Sequence, residues 1–285
     1  MDRIFNNQRI RYTIEDFIKA KTQEGGYNGA LIGISGGLDS ATAAYLAVGA
    51  LGQRNVVGLT FQFPEQITQD LKDAQKVGSI LGIEHKIIDV STLIKNFSKA
   101  VKSEKLKNKA NDEYLALFER ISSTLSLTWA DALNYLIVSP TNRTEFLTSY
   151  YSIGGNIGHI YPLGGLFKTE VVELAKFIGV PGEIIEKPSR DGFATRKPSE
   201  VILGMPYETL DRVCYNLALG VDSGVISQNE NVLHSQVEEI QRRIKDSERK
   251  LEFPECKVYM SERFEKLGKP KKKLIVTAFM RYGGG

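Results

Sequence analysis

The stretch Ala30-Leu31-Ile32-Gly33-Ile34-Ser35-Gly36-Gly37-Leu38-Asp39-Ser40 decides how this chain folds. Ala30 to Ile34 is almost wholly apolar, the pattern of a short strand buried on both faces of a parallel sheet. Ser35 to Ser40 forms a turn, and Ala41 to Leu51 continues as a helix that Gly52 stops. A buried strand that enters a helix through a glycine turn puts that turn at its carboxyl end, where open parallel sheets bind ligands. Gly36 and Gly37 have no side chain to hold an anion away from the backbone N–H groups. The helix start adds unpaired donors and partial positive charge, and Ser35 and Ser40 offer hydroxyls. Asp39 would repel a phosphate unless a divalent cation stood between them, and Mg²⁺ is the ion such a site favours. A plain capped glycine turn, which any strand–helix unit can use, does not account for two glycines, two serines and an aspartate together. The turn reads as a nucleotide-phosphate site.

The same alternation extends outward. Thr13 to Lys21 reads as a helix broken at Gly25-Gly26. Asn55 to Phe63 reads as a strand, Thr68 to Leu81 as a helix with Thr68 as its N-cap and Gly82 at its end, and His85 to Val90 as a third strand before a helix that Ser91 caps. A long helix over Asp112 to Asn134 leads into a fourth strand, Tyr135 to Val138, and a short helix, Asn142 to Ser149. Gly154 to Gly165 is a glycine-rich loop around a short strand at Ile160-Tyr161. Lys168 to Ile178 is an amphipathic helix closed by Gly179. Lys187 to Pro206, proline-containing and polar, reads as a long mobile segment, followed by helices over Tyr207 to Leu219 and Asn229 to Leu251. Strands alternating with helices imply an α/β fold with a doubly wound parallel sheet. The expected organisation is one domain over 1–285, with 207–285 a mainly helical C-terminal extension.

Composition narrows the function. A net charge of +3 gives no general affinity for nucleic acid, and the one dense basic run, Lys266 to Lys273, reads as a solvated tail. Cys214 and Cys256 lie too far apart for a C-x-x-C pair, and the three histidines lack metal-ligand spacing. No apolar run is long enough for a bilayer and Met1 to Asn7 lacks a secretory pattern, so a cytoplasmic protein is expected. The G-x-x-x-x-G-K-[ST] and G-x-G-x-x-G motifs are both absent from the turn.

Ser35 to Ser40 matches the SGGxDS signature of the PP-loop ATP pyrophosphatases, of the adenine nucleotide alpha-hydrolase type. Over about Arg9 to Asp211 the chain resembles the ammonia-dependent NAD synthetases within that superfamily. The resemblance runs through the helix Ala43 to Gly52, Ser139-Pro140-Thr141-Asn142-Arg143-Thr144-Glu145, and Tyr161-Pro162-Leu163 with Leu166-Phe167-Lys168-Thr169. It continues in Val180-Pro181, Lys187-Pro188-Ser189 and Leu203-Gly204-Met205-Pro206-Tyr207. It implies an ATP site of Gly33, Ser35, Gly36, Gly37, Leu38, Asp39, Ser40, Lys168 and Ser189, with Mg²⁺ held by Asp39 and Glu145. Asp39 and Lys168 are implied to be catalytic, Lys168 offsetting charge as pyrophosphate departs. Arg120, Asn142, His159 and Glu200 are implied to meet the acceptor, a small-molecule carboxylate.

The acceptor half departs from the family pattern. Where the family has Y-G-D-G-x-A-D, both aspartates are replaced, by Gly155 and His159, and the preceding lysine is Ser152. The family's A-R-x-R helix keeps Arg120 but has Ser122 for its second arginine, and an Asp-Glu pair survives as Ser199-Glu200. The resemblance implies adenylation of deamido-NAD⁺ by ATP, then amidation by ammonia. The same chemistry on another carboxylate, such as a nucleotide or sugar acid, is the alternative; tRNA modification and a non-catalytic nucleotide-binding module stand further off. No N-terminal cysteine offers a glutaminase nucleophile, so ammonia is expected free or from a separate glutaminase. A homodimer is implied, with the helix around Thr124 to Asn134, including Trp129 and Leu133, at the contact or in the core.

Overall fold

A computed structural model describes residues 6–63, 68–108, 111–155, 157–190 and 197–251. Four strands form one parallel sheet: β1 (Gly29–Gly33), β2 (Val56–Gln62), β3 (Glu84–Asp89) and β4 (Tyr135–Val138), in the order β3-β2-β1-β4. β1 pairs with β2 through Ala30↔Val56 to Gly33↔Leu59, and with β4 through Gly29↔Tyr135 to Ile32↔Val138. The chain therefore winds one way from β1 to β3 and then crosses to the other side of β1 for β4, which leaves a crevice at the carboxyl ends of β1 and β4. The expected strand at Ile160-Tyr161 is a single parallel bridge, Val138↔Ile160, on the free edge of β4.

Successive residues of a strand point to opposite faces, and β1 serves both. Ala30 and Ile32 join Ile34 in a core with α1 (Asn7–Glu24), α2 (Leu38–Leu51), α3 (Thr68–Leu81) and α7 (Lys168–Ile178). Leu31 packs with Val57, Leu59 and Ile137 under α5 (Asp112–Leu133), whose Ala130 is buried there. Trp129 and Leu133 are partly buried against this second core, and Lys86 Nζ lies 5.1 Å from the Trp129 ring centroid. α4 (Ser91–Val101) and α6 (Arg143–Leu147) complete the helices before α7.

Beyond α7, the short α8 (Gly182–Ile185) and α9 (Ser199–Leu203) precede α10 (Tyr207–Ala218), α11 (Ser223–Glu230) and α12 (His234–Leu251). Leu203, Leu210, Val213, Ile226, Val237 and Ile240 form an apolar cluster that also takes in Phe167, the residue before α7. This packing ties the C-terminal helices to the start of α7.

Several expected boundaries move. α1 begins six residues before Thr13, at Asn7, because Asn6 caps it by accepting from Arg9 N–H. Thr68 is itself helical and so does not cap α3. Ser91 does not cap α4; Val90 holds that position, and the Ser91 N–H is instead taken by Asp89 Oδ1 at 2.8 Å. The single helix expected over Asn229 to Leu251 is divided, since Asn231 adopts a left-handed conformation (φ 52°) that ends α11, and Ser227 Oγ donates to Val232 O across the break. The segment expected to be mobile contains the ordered α9, while 191–196 lies outside the described residues, as do the lysine run and Cys256. Among the described residues no helix is long and apolar enough to cross a membrane.

Leu174 of α7 is fully buried between α7 and the sheet-side core. Leu174→Ala is expected to cost about 2–5 kcal/mol of folding free energy, read as a lower urea midpoint with an unchanged m-value.

Candidate active site

The turn after β1 is held by its own side chains. Ser40 Oγ donates to Gly37 O at 2.9 Å and receives the Ser35 N–H at 3.1 Å, while Ser35 Oγ lies 3.0 Å from Ser40 Oγ and accepts from Gly37 N–H at 3.2 Å. The serines, expected simply as phosphate donors, therefore brace the turn, which fixes the direction of its N–H groups. Gly36 has φ +81°, and a Cβ there would come within 2.0 Å of Asp70 O. Both the backbone angle and the space require glycine.

Lys187 locks the turn from outside. Its ammonium donates to Gly36 O at 2.8 Å, Asp70 Oδ1 at 2.6 Å and Asp73 Oδ2 at 2.7 Å. Two acids three apart on α3, which share one helix face, hint at this arrangement; their burial and common cation become visible only in three dimensions.

Beside the turn lies a buried charge cluster. Lys168, 4% exposed, donates to Asp39 Oδ2. Asn142 Nδ2 donates to the other Asp39 oxygen at 3.0 Å. Asn142 also caps α6 reciprocally: its Oδ1 accepts from Glu145 N–H at 3.0 Å, and its own N–H donates to Glu145 Oε2 at 3.0 Å. Thr144 Oγ1 accepts the Lys168 N–H and donates to Asp211, which in turn accepts from Thr169 N–H. Asp211 thus sits at the positive start of α7, offsetting a lysine that is poorly placed in a first turn. Burial raises the Asp211 carboxyl pKa despite these hydrogen bonds.

Burial, and then the charge of Asp39, push the Glu145 pKa up to about 8, against the opposing pull of Lys168 and the Asn142 N–H. For Lys168, burial works to lower the pKa, but the negative charge of Asp39 and the hydrogen bond to it outweigh that, and the ammonium is held firmly protonated. With Asp39 paired to Lys168, ionising Glu145 as well would leave negative charge that one lysine does not balance. A magnesium ion takes one or two carboxylates and completes its shell with phosphate oxygens and water, so the Asp39 and Glu145 pair fits such an ion. Among the described residues no group of three His, Cys, Asp or Glu side chains could hold a metal without that help.

These groups open on a cleft of about 1220 Å³ at the crevice between β1 and β4. Gly33, Ser35, Gly37, Leu38, Asp39, Ser40, Glu145, Lys168, Ser189 and Glu200 line it. Ser189 Oγ lies 3.5 Å from Tyr207 Oη, and Glu200 Oε1 accepts from Tyr207 N–H at 2.7 Å. Three expected acceptor residues are placed elsewhere. Asn142 is fully buried beneath Asp39, where its amide is used to orient the carboxylate. His159 lies along the free edge of β4: its Nδ1 accepts from Ile137 N–H at 2.8 Å and its ring stacks on Tyr27. Arg120 does not line the cleft but donates to Ile153 O at 2.9 Å, pinning a loop onto α5.

The profile of the NAD synthase family matches residues 10–254. The chain belongs to the NAD synthase family. Its relatives include the NH(3)-dependent NAD(+) synthetase of Thermococcus sibiricus, 37% identical over 240 residues, which span 84% of this chain and 92% of that protein. The corresponding enzyme of Thermococcus kodakarensis is 36% identical over 244 residues, or 85% and 94% of the two chains. Among solved structures, the NH3-dependent NAD synthetase of Campylobacter jejuni superposes with a TM-score of 0.71 at 26% identity, covering 88% of this chain and 98% of that one. The NMN synthetase of Francisella tularensis, at 24% identity, shares the fold with a TM-score of 0.75 over 87% and 97% of the two chains. Members of the NAD synthase family are ATP-dependent amide-forming ligases, and the buried cluster beside the glycine turn is the part of this chain suited to that chemistry.

Two measurements test the site's physics. Lys187→Met removes the cation shared by Gly36 O, Asp70 and Asp73, and is expected to weaken ATP binding by roughly ten- to a hundredfold, the range for a lost charged hydrogen bond, in a calorimetric titration. For Glu145, the folded pKa of about 8 lies above the ordinary value of 4.5. Below the lower value the group is protonated in both states and contributes nothing. Between the two values the unfolded chain ionises while the folded one keeps its proton, so stability falls as pH rises. Glu145→Gln in metal-free protein is therefore expected to raise the melting temperature at pH 8 and leave it unchanged at pH 4, with magnesium-dependent ATP binding lost.

Proposed function

We propose that this protein is an ammonia-dependent NAD⁺ synthetase. The acceptor carboxylate of deamido-NAD⁺ attacks the α-phosphorus of ATP, pyrophosphate leaves, and ammonia displaces AMP from the acyl-adenylate to give the amide. The observation that carries this reading is the Lys168–Asp39–Glu145 cluster beside a braced glycine turn in a single cleft. The names of the relatives, which include NH(3)-dependent NAD(+) synthetases at 36–37% identity, support the choice of substrates.

Each residue's part follows from its surroundings. The N–H groups at the start of α2, Leu38 to Ser40, held in place by a turn whose Ser35 and Gly37 N–H groups are taken by the serine hydroxyls, bind phosphate oxygens. Lys168 is held protonated and buried, so its charge acts on departing pyrophosphate at low dielectric without first shedding water. Asp39, oriented by Asn142 and Lys168, and Glu145 would hold Mg²⁺, which neutralises the charge on the phosphates. Ser189 contacts phosphate from the opposite wall, and Glu200, which lines the cleft near it, faces the acceptor. None of these groups attacks the substrate; the rate enhancement comes from positioning and electrostatics. Ammonia enters free or from a separate glutaminase, and the enzyme works as a cytoplasmic homodimer.

Purified protein with ATP, Mg²⁺, ammonia and deamido-NAD⁺ is expected to form NAD⁺ and AMP in equal amounts. Asp39→Asn is expected to lower kcat by about 10²–10³, as for loss of one electrostatic stabiliser of the transition state. Wild-type protein that turns over neither ATP nor deamido-NAD⁺ would overturn the reading.

A further inference from the structure

The wall of the cleft away from the phosphate turn is one face of α5, including Phe118, Glu119, Ser122 and Ser126. A loop lies directly on that face. Arg120 Nε holds it through Ile153 O at 2.9 Å, and Gly155 N–H closes its turn onto Ser152 O at 2.9 Å. A Cβ added at Gly155 would come within 2.7 Å of both Cβ and Oε2 of Glu119. Glycine is required here by space, since the Glu119 side chain already occupies the position a side chain at 155 would take.

The pattern that this chain resembles has aspartate at position 155 and alanine immediately before Arg120; here those positions are Gly155 and Glu119. The two departures are therefore one exchange. A carboxylate has been removed from the loop, and another enters the same space from the helix. Its charge is felt at the catalytic centre, where it adds to the upward pressure on the Glu145 carboxyl. Next to it, Ser122 Oγ is buried with no hydrogen-bond partner among the described residues, a polar group in the cleft wall left for a ligand.

We propose that Glu119 is the cation-recognising carboxylate of the acceptor half, supplying from α5 the negative charge that the family pattern places on the loop. This proposal rests on the reading of the protein as an NAD⁺ synthetase. A carboxylate here disfavours the acceptor's own carboxylate and favours a positively charged nitrogen. The reaction brings two: the N-glycosylated pyridinium ring that bears the reacting carboxylate, and ammonium, which must lose a proton before it attacks. Both bring positive charge to Glu119, ammonium through N–H donors and the ring, whose nitrogen carries no hydrogen, through its delocalised charge.

The test uses the full chain and separate Michaelis constants for deamido-NAD⁺ and for ammonia. Glu119→Gln, which preserves shape, is expected to raise one of them about tenfold or more, the size of a lost interaction with a charged group, while calorimetric affinity for ATP stays at the wild-type value. A rise for deamido-NAD⁺ identifies the ring as the partner; a rise for ammonia identifies ammonium. Gly155→Asp alone is expected to lose activity by collision with Glu119, and Glu119→Ala/Gly155→Asp is expected to recover what Glu119→Ala loses. Both constants remaining within about twofold of wild type in Glu119→Gln, too small a change for a lost charged partner, would overturn the proposal. A double variant no better than Glu119→Ala would overturn the exchange. Wild-type protein that makes no NAD⁺ sinks the functional reading instead, and that outcome is visible without any variant.

Discussion

The site depends on the burial of one ammonium, Lys168, against the carboxylate of Asp39 in a place where a second carboxylate, Glu145, is also enclosed. Dehydrating an ion pair and a second carboxyl group is costly, and a buried ion pair is poor evidence of stability. The surrounding chain is arranged to make the cost tolerable. Asn142 ties Asp39 to the capping turn of α6, Thr144 links that turn to the first N–H of α7, and Asp211 receives the next. Helices α2, α6, α7 and α10 thus meet end-on at one cluster, and the relative placement of their starts is set by polar bonds and not by apolar packing alone.

That meeting point is a product of topology. In the order β3-β2-β1-β4 the chain reverses direction at β1, so the turns that leave β1 and β4 diverge and cannot fill the space between them. The turn after β1 carries the braced glycines; the turn after β4 carries Ser139, Thr141 and the α6 cap. Lys187 arrives from beyond α8 and fastens the first turn to α3 through Asp70 and Asp73. A phosphate-binding turn must present its N–H groups in a fixed direction before the ligand arrives, because reorganisation during binding would be subtracted from affinity. Two braces, the serine pair and Lys187, meet that need.

Much of this was legible in the linear sequence, for identifiable reasons. Strand β4 and helices α3 and α7 lie where their apolar pattern and flanking glycines put them, and the glycine turn follows a buried strand as its composition requires. Local signals fail where a side chain has two possible partners. Asn142 can serve a ligand or a helix cap, and its sequence neighbourhood does not say that Asp39 lies above it. His159 can be a charged ligand or an edge-strand acceptor, and the free N–H of Ile137 becomes visible only once β4 is the edge of the sheet. Asn231 is a tolerable helix residue until the chain must turn so that Val237 and Ile240 can reach Ile226 and Val213. Glu119 was silent because nothing in one helix reports on a glycine 36 positions later.

Carboxyl groups stand in both halves of the cleft, Asp39 and Glu145 beside the glycine turn and Glu119 on α5. Glu145 holds its proton at neutral pH because burial and Asp39 make ionisation unfavourable, and Glu119 adds to the same repulsion. A divalent cation held by Asp39 and Glu145, as proposed above, would displace that proton, so its binding would release acid, as is general where ligands have to deprotonate.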